Sequence, residues 1–269
     1  MGRKMGAPKI SVLIEDGVGI MLSVEHLSFS FGCRTILNRA SFRLGPGVIT
    51  CLMGENGSGK TTLLNLIGGF LRPDSGSICL GDQELVGRAP FQISRLGVAR
   101  SFQDLRLIGK LSVRENVLLA LPRQPGEGLA RAIQPRSLYR ASEAADHEKA
   151  SVLLTDFFLA EIADQLASEI SYGQQKLLTL ACCSAMDTNL ILLDEPVAGI
   201  SHEHREHIVN RLVKLKTEGK IILLIDHQTD FLQNVGNSFF LMEAGRLHHF
   251  DTLAELRAGH VMHGRIQQG

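Results

Sequence analysis

The chain has 269 residues, between one and two domains at a prior of about 150 residues per domain. Its 28 basic and 28 acidic side chains cancel, which leaves no global field for nucleic acid or an anionic membrane. Hydrophobic residues at 44% and charged residues at 21% describe a chain with a sizeable core, and no tryptophan with only two tyrosines argues against a base-stacking platform.

No run reaches the roughly 18 to 20 apolar residues that cross a bilayer. The basic opening MGRK precedes an apolar stretch broken by Glu15 and Asp16, with no small-residue cleavage site. The chain therefore reads as soluble and cytoplasmic, with residues 1–20 as an N-terminal tail and Met21 as a second candidate start. Cys33, Cys51, Cys79, Cys182 and Cys183 show no CxxC spacing and are odd in number, so they read as reduced, small hydrophobes.

From Met21 the elements follow in order. Leu22 and Val24, then Leu27, Phe29 and Phe31, alternate as a half-buried antiparallel strand does. SFRLGPGVITCLMG gives a strand, a turn at Gly45-Pro46-Gly47 and the apolar run Val48–Met53; SGSICLGDQEL (75–85) reads as another edge strand after the Pro73-Asp74-Ser75-Gly76 turn. The runs Leu190–Leu193, Ile221–Ile225 and Phe239–Met242 have the near-continuous hydrophobicity of strands covered on both faces in a mostly parallel sheet. The segment 104–180 is helical in pattern, interrupted by the Pro/Gly-rich basic loop 122–135. The fold class is α/β, with a mostly parallel core, an antiparallel N-terminal β subdomain and an inserted helical subdomain. The expected division is 21–103 and 181–269 for the core and 104–180 for the helical insert.

Gly54-Glu55-Asn56-Gly57-Ser58-Gly59-Lys60-Thr61 fits G-x-x-x-x-G-K-[ST] between the strand Val48–Met53 and a helix Thr62–Ile67. In that context backbone N–H groups curl around phosphates, Lys60 reaches the β- and γ-phosphates, and the Thr61 hydroxyl faces Mg²⁺. ATP contacts are thus expected from Gly54, Asn56, Gly57, Ser58, Gly59, Lys60, Thr61 and Thr62. Leu190–Leu193 runs into Asp194 and Glu195, two acids at the carboxyl end of a buried strand, where open α/β sheets place ligands. Asp194 suits the magnesium shell and Glu195 suits orienting a water for attack on the γ-phosphate. Ser171, Tyr172, Gly173 and Gln174 open a helical run; taken alone, they fit a plain N-cap better than an anion site.

Taken together, Gly54–Thr61, Gln103, Ser171–Gln175, Asp194-Glu195 and His227 resemble the ordered motif set of the ABC-transporter ATPases. Gly54 to Gln103 is 49 positions, Gln103 to Ser171 is 68, Ser171 to Asp194 is 23 and Asp194 to His227 is 33. The resemblance covers about residues 22–250 and implies a P-loop NTPase core, ATP hydrolysis and Mg²⁺. It also implies that Gln103 senses the γ-phosphate and metal, that His227 is a switch histidine on the γ-phosphate, and that Ser171, Tyr172, Gly173 and Gln174 close over ATP held by a second ATPase subunit, identical or related. Phe31 stands where the family carries an aromatic against adenine; a core phenylalanine is the equal alternative. The stretch 99–121, the basic insert after it and SYGQQK are similar to importer ATPases for branched-chain and hydrophobic amino acids, a subfamily that also serves urea and short amides. Export ATPases and soluble non-transport members are the rival classes, and no nucleic-acid partner is expected. The resemblance further implies transmembrane permease subunits, met along Asp104–Arg114 on the cytoplasmic face of the membrane, and indirectly an extracytoplasmic solute-binding protein.

Three positions depart from the family pattern: Ser201 where an acidic or amide residue is frequent, Cys182 for an arginine, and Gln228 for an aspartate. The histidines His202, His204 and His207 read as the polar face of a helix before a metal site, and a metal is likewise the lesser reading for His248-His249 and for His260 with His263.

Overall fold

The computed structural model describes residues 19–101, 107–122 and 136–258. Two sheets and a layer of helices form three tiers. The first sheet is antiparallel, in the order β2 (Arg34–Leu44), β1 (Leu22–Phe31), β4 (Ser75–Leu80), β5 (Gln83–Glu84). The second runs β10 (Arg246–Phe250), β9 (Ser238–Glu243), β3 (Val48–Met53), β8 (Ile221–Ile225), β7 (Leu190–Asp194), β6 (Val98–Arg100) and is parallel except for β10 on β9.

Alternation along the second sheet feeds both of its faces. Ile191, Leu193, Ile222, Leu224, Phe239 and Leu241 join one core, with the helices α5 (Tyr172–Ala185), α6 (His202–Thr217) and α7 (Thr229–Val235). Leu190, Leu192, Ile221, Leu223, Ile225, Phe240 and Met242 join the other, between this sheet, the antiparallel sheet and α1 (Lys60–Ile67). A strand covered on both sides needs apolar residues at every position, and that produces the uninterrupted runs in the sequence.

The jump in β1 from Val24 to Leu27 has a backbone cause. Val24 pairs with Phe42 and Leu27 with Ala40, so Glu25 and His26 together oppose the single residue Ser41. His26 sits at φ 50° within this bulge, and its N–H donates to the Ser41 hydroxyl at 2.8 Å. The bulge resets the phase and returns Leu27 and Phe29 to the buried face. The segment 75–85 does not end the sheet as a single edge strand: β4 lies between β1 and the two-residue β5, which forms the edge. The strands β6 and β10, three and five residues long at the margins of the large sheet, carry no apolar run that marks them.

Between β6 and β7 the described chain is helical: α2 (Pro90–Arg95) precedes β6, then come α3 (Val113–Ala120), α4 (Arg136–Asp156), a 3-10 turn at Ala160–Ile162 and α5. Ser112 caps α3 by accepting from the Glu115 N–H, and Glu115 in turn accepts from the Ser112 N–H, which satisfies two donors that would otherwise be stranded at the helix start. The α5 helix passes position 180 and delivers Ala181, Cys183 and Ala185 to the core under the large sheet. Buried Cys51 and Cys183 fill core positions, and burial pushes both thiols up to about 12.

Candidate active site

The strands β3, β8 and β7 are neighbours and parallel, so their carboxyl ends open on one edge of the sheet. Gly54–Gly59 follows β3, Asp226 and His227 follow β8, and Asp194 ends β7 with Glu195 directly after it. Sheet topology thus gathers the loop Gly54–Gly59 with two motifs that lie more than a hundred residues further along the chain.

The loop after β3 depends on backbone that only glycine adopts freely. Gly54 lies at φ 148°, where a Cβ atom would stand 2.5 Å from the Met242 carbonyl oxygen; Gly59 lies at φ 110°, where it would stand 2.7 Å from Ile36 Cγ2. Helix α1 begins at Lys60, two residues before the expected Thr62, with Gly59 as its N-cap. Its first N–H groups and its dipole therefore point into the loop. Lys60 is 7% exposed, and its ammonium donates to the carbonyls of Gly54 and Glu55, each at 2.8 Å. Burial lowers its pKa, and the charges of Asp194 and Glu195 work against that. A cavity of about 250 Å³ beside the loop is lined by Asn56, Gly57 and Ser58, by Arg34 and Ile36 of β2, and by the β9–β10 turn.

Asp194 is buried, and its Oδ2 meets no hydrogen-bond donor. Burial raises its pKa; the Thr61 hydroxyl and Arg100 lower it, and Glu195 adds repulsion. An oxygen ligand that is buried, unpartnered and next to a hydroxyl is the chemistry a hard divalent cation takes. The Asp194 N–H donates to Ser101 Oγ at 3.1 Å. Gln103, two residues further on, lies outside the described residues.

Glu195 turns out of the strand in a left-handed conformation, φ 49°. Its N–H donates to the Ile225 carbonyl at 2.8 Å, and its Oε1 lies 3.5 Å from His227 Nε2. Both side chains remain partly open, at 29% and 46%, so a third molecule has access to the pair. Asp226 holds His227 from behind: Oδ1 accepts the N–H groups of His227 at 2.7 Å and of Gln228 at 2.8 Å. Burial raises the Asp226 pKa, offset first by those backbone bonds.

Ser171 caps α5. Its hydroxyl accepts from the Gln174 N–H at 3.3 Å, and Gln174 Oε1 accepts from the Ser171 N–H at 2.9 Å. The plain capping role is therefore realised within the single chain. Tyr172 is 54% exposed beside that cap, and the Gly173 Cα–H direction faces the Gly199 carbonyl, 3.4 Å from where a Cβ would be. Phe31 is not a core residue: it is 54% exposed at the end of β1, edge-on to Phe29 with centroids 4.8 Å apart. Ser201 Oγ pairs with His204 Nδ1 at 2.9 Å, and the His204 and His207 rings lie 5.5 and 4.2 Å from that of Phe158. His249 bonds Ser238 Oγ at 3.0 Å; His260 and His263 lie outside the described residues, as does the side chain of His202. Among the described residues no three histidine, cysteine or acidic side chains group as a metal site of their own.

Several neighbours of the site carry little sequence signal of their own. Arg34 belongs to no motif, Ser101 and Lys176 lie in the stretches 99–121 and SYGQQK without a role there, and Asp226 looks like an ordinary charge at the end of a strand. A charge directly after the fully apolar run Ile221–Ile225 was the available clue for Asp226.

A glycine loop between strand and helix, beside acids at the ends of parallel strands, defines a P-loop NTPase. The chain belongs to the ABC transporter family: the family model "ABC transporter" matches residues 37–198. It is 33% identical over 226 residues, 84% of this chain and 89% of the relative, to the high-affinity branched-chain amino acid transport ATP-binding protein LivG of Escherichia coli K12. It is 34% identical, over 84% of this chain and 86% of the relative, to a probable branched-chain amino acid transport ATP-binding protein LivG of Archaeoglobus fulgidus. A nucleotide-free ATP-binding cassette of an ABC transporter superposes with TM-score 0.73 at 27% identity, covering 89% of this chain and 94% of the other; a cassette in its ADP conformation gives 0.71, also at 27%. The chain is an ABC-family ATPase, with the P-loop core, antiparallel N-terminal sheet and helices expected. Among the described residues no helix is long and apolar enough to cross a membrane.

Proposed function

We propose that this ATPase powers import of branched-chain amino acids, bound from the cytoplasmic face to transmembrane permease subunits. The observation that carries the reading is similarity along 84% of the chain to LivG and BraF proteins, whose names place them in branched-chain amino acid transport, at 30 to 34% identity. The solute itself enters through an extracytoplasmic binding protein and the permease.

Within the chain, Lys60 and the N–H groups of Gly57 to Thr62 hold the phosphates, and Phe31, exposed at the end of β1, faces the base. Displacing the Gly54 and Glu55 carbonyls from Lys60 frees a desolvated ammonium for the β- and γ-phosphates. Thr61 and Asp194, with Gln103, hold Mg²⁺, which when bound neutralises charge developing on the phosphate oxygens. Glu195 orients the water and accepts its proton, while His227 holds the γ-phosphate against it. Ser171, Tyr172, Gly173 and Gln174 act on ATP in a second subunit, where the Ser171 hydroxyl and the α5 N-terminus face the γ-phosphate. ATP then favours the closed dimer because that state alone contacts phosphate from both sides. The exposed Ile108 and Leu119, at 45% and 50%, lie on the helical insert around Asp104–Arg114 and fit a permease docking face. The core is 21–103 with 181–269, and 104–180 is the insert.

The test is uptake of labelled leucine, isoleucine and valine by cells carrying this chain with the permease encoded beside it. Uptake that depends on the chain and vanishes in Lys60→Ala is expected. Uptake of urea or a short amide alone, or efflux, would overturn the reading.

A further inference from the structure

Lys176 lies one turn into α5 and is 5% exposed. Its ammonium donates to the backbone carbonyl of Glu195 at 2.7 Å, 19 residues away in the chain, and lies 5.5 Å from the centre of the Tyr172 ring. Glu195 is one of five non-glycine residues at positive φ among the described residues, and its peptide leaves the strand between two anchors. Its N–H is tied to Ile225 and its carbonyl to Lys176. These two bonds set the direction in which the carboxylate points toward His227. Burial lowers the Lys176 pKa, and the charges of Glu195, Asp226 and Asp194 work against that. The same helix begins with Ser171 to Gln174, and the ring of Tyr172 and the backbone at Gly173 pack against Gly199 in the loop that follows Glu195.

We infer that Lys176 is a positioning residue for hydrolysis: it ties the start of α5 to the backbone of Glu195 and so fixes the carboxylate that orients the attacking water. The inference rests on the reading of Glu195 proposed above. Ser171 caps the helix that carries Lys176, so what Ser171 meets in a partner is joined to Glu195 through this one bond. The pairing is a bond to a main-chain carbonyl, and a longer cation reaches the same acceptor. Methionine, neutral and of similar length, does not, because it offers no donor.

The experiment uses the full-length protein and compares the parent, Glu195→Gln, Lys176→Met and Lys176→Arg for ATP turnover, and for affinity by titration with a fluorescent ATP analogue. Lys176→Met is expected to lower kcat by about ten- to a hundredfold, the range for a catalytic group displaced by about 1 Å. Its nucleotide affinity stays within about twofold of the parent, a loss confined to the transition state. Lys176→Arg recovers most of the rate. Where the methionine variant does not fold, Lys176→Gln, whose amide ends one atom short of the Glu195 carbonyl, must show the same split between rate and affinity. Unchanged kcat in the neutral variants, rate and affinity falling together, or an arginine variant as slow as methionine overturns the inference. If Glu195→Gln itself keeps full turnover, the prior reading of Glu195 has failed instead.

Discussion

The structure gives Ser171 one job, the α5 cap, and the proposed function gives it a second, a contact with the partner's ATP; the energetics of the two separate cleanly. In the isolated chain it caps α5 through the Gln174 N–H at 3.3 Å while Gln174 returns the bond at 2.9 Å. Replacing it with alanine removes a cap and costs about 1 kcal/mol, a fall of about 2–4 °C in melting temperature for a chain approaching this size. Aspartate caps as well as serine does, so Ser171→Asp melts within a degree or so of the parent. The two variants diverge once ATP is present. A carboxylate at the cap faces the γ-phosphate of the partner subunit with like charge, so Ser171→Asp fails to dimerise although its helix is intact. Thermal unfolding without nucleotide and light scattering with ATP, on a Glu195→Gln background that holds ATP unhydrolysed, measure the two effects. An aspartate variant that dimerises as the parent does would refute a phosphate contact at Ser171 and leave only the cap.

Three further outcomes follow from the same geometry. Phe31→Ala removes a ring that is 54% exposed and edge-on to Phe29, so stability changes little while KM for ATP rises by about two- to thirteenfold, the equivalent of one aromatic contact of about 0.5–1.5 kcal/mol; an unchanged KM places the base elsewhere. Gly59→Ala puts a Cβ 2.7 Å from Ile36 Cγ2 at φ 110° and costs about 1–3 kcal/mol for the backbone strain, read by denaturant unfolding together with loss of nucleotide binding. Asp226→Asn stabilises the nucleotide-free protein at neutral pH, because Asn keeps an oxygen for the His227 and Gln228 N–H groups while removing a charge that burial disfavours. The sign with pH follows from the raised pKa. The folded parent takes up a proton at a pH where the unfolded chain does not, so its stability increases as pH falls through the folded value and the advantage of Asn shrinks with it. Melting curves at pH 8 and pH 5 measure the difference, and an advantage that grows toward pH 5 contradicts the argument.

The parts of this fold that were legible in the sequence are those whose residues answer to local rules. Val48–Met53, Ile221–Ile225 and Leu190–Leu193 announce a doubly covered sheet because both faces need apolar side chains, and Gly54 and Gly59 announce a loop because no other residue takes its backbone cheaply. What escaped was set by tertiary contact. The β6 strand is three residues of edge, stabilised by β7 and not by its own pattern. Asp226 and Lys176 gain their roles from neighbours brought in by the sheet order and by α5, neither of which is written at their own positions. Phe31 stood even between core and ligand because the alternation that puts Phe29 inside is continuous through it; only the strand's end exposes the ring.

The central claim is that Glu195 hydrolyses ATP held jointly by two chains. Turnover and mass in solution, measured together on Glu195→Gln with ATP and Mg²⁺, test it most directly. Hydrolysis lost and a dimer that persists until ATP is removed are expected; full turnover, or a protein that stays monomeric with ATP bound, contradicts the role proposed for Glu195.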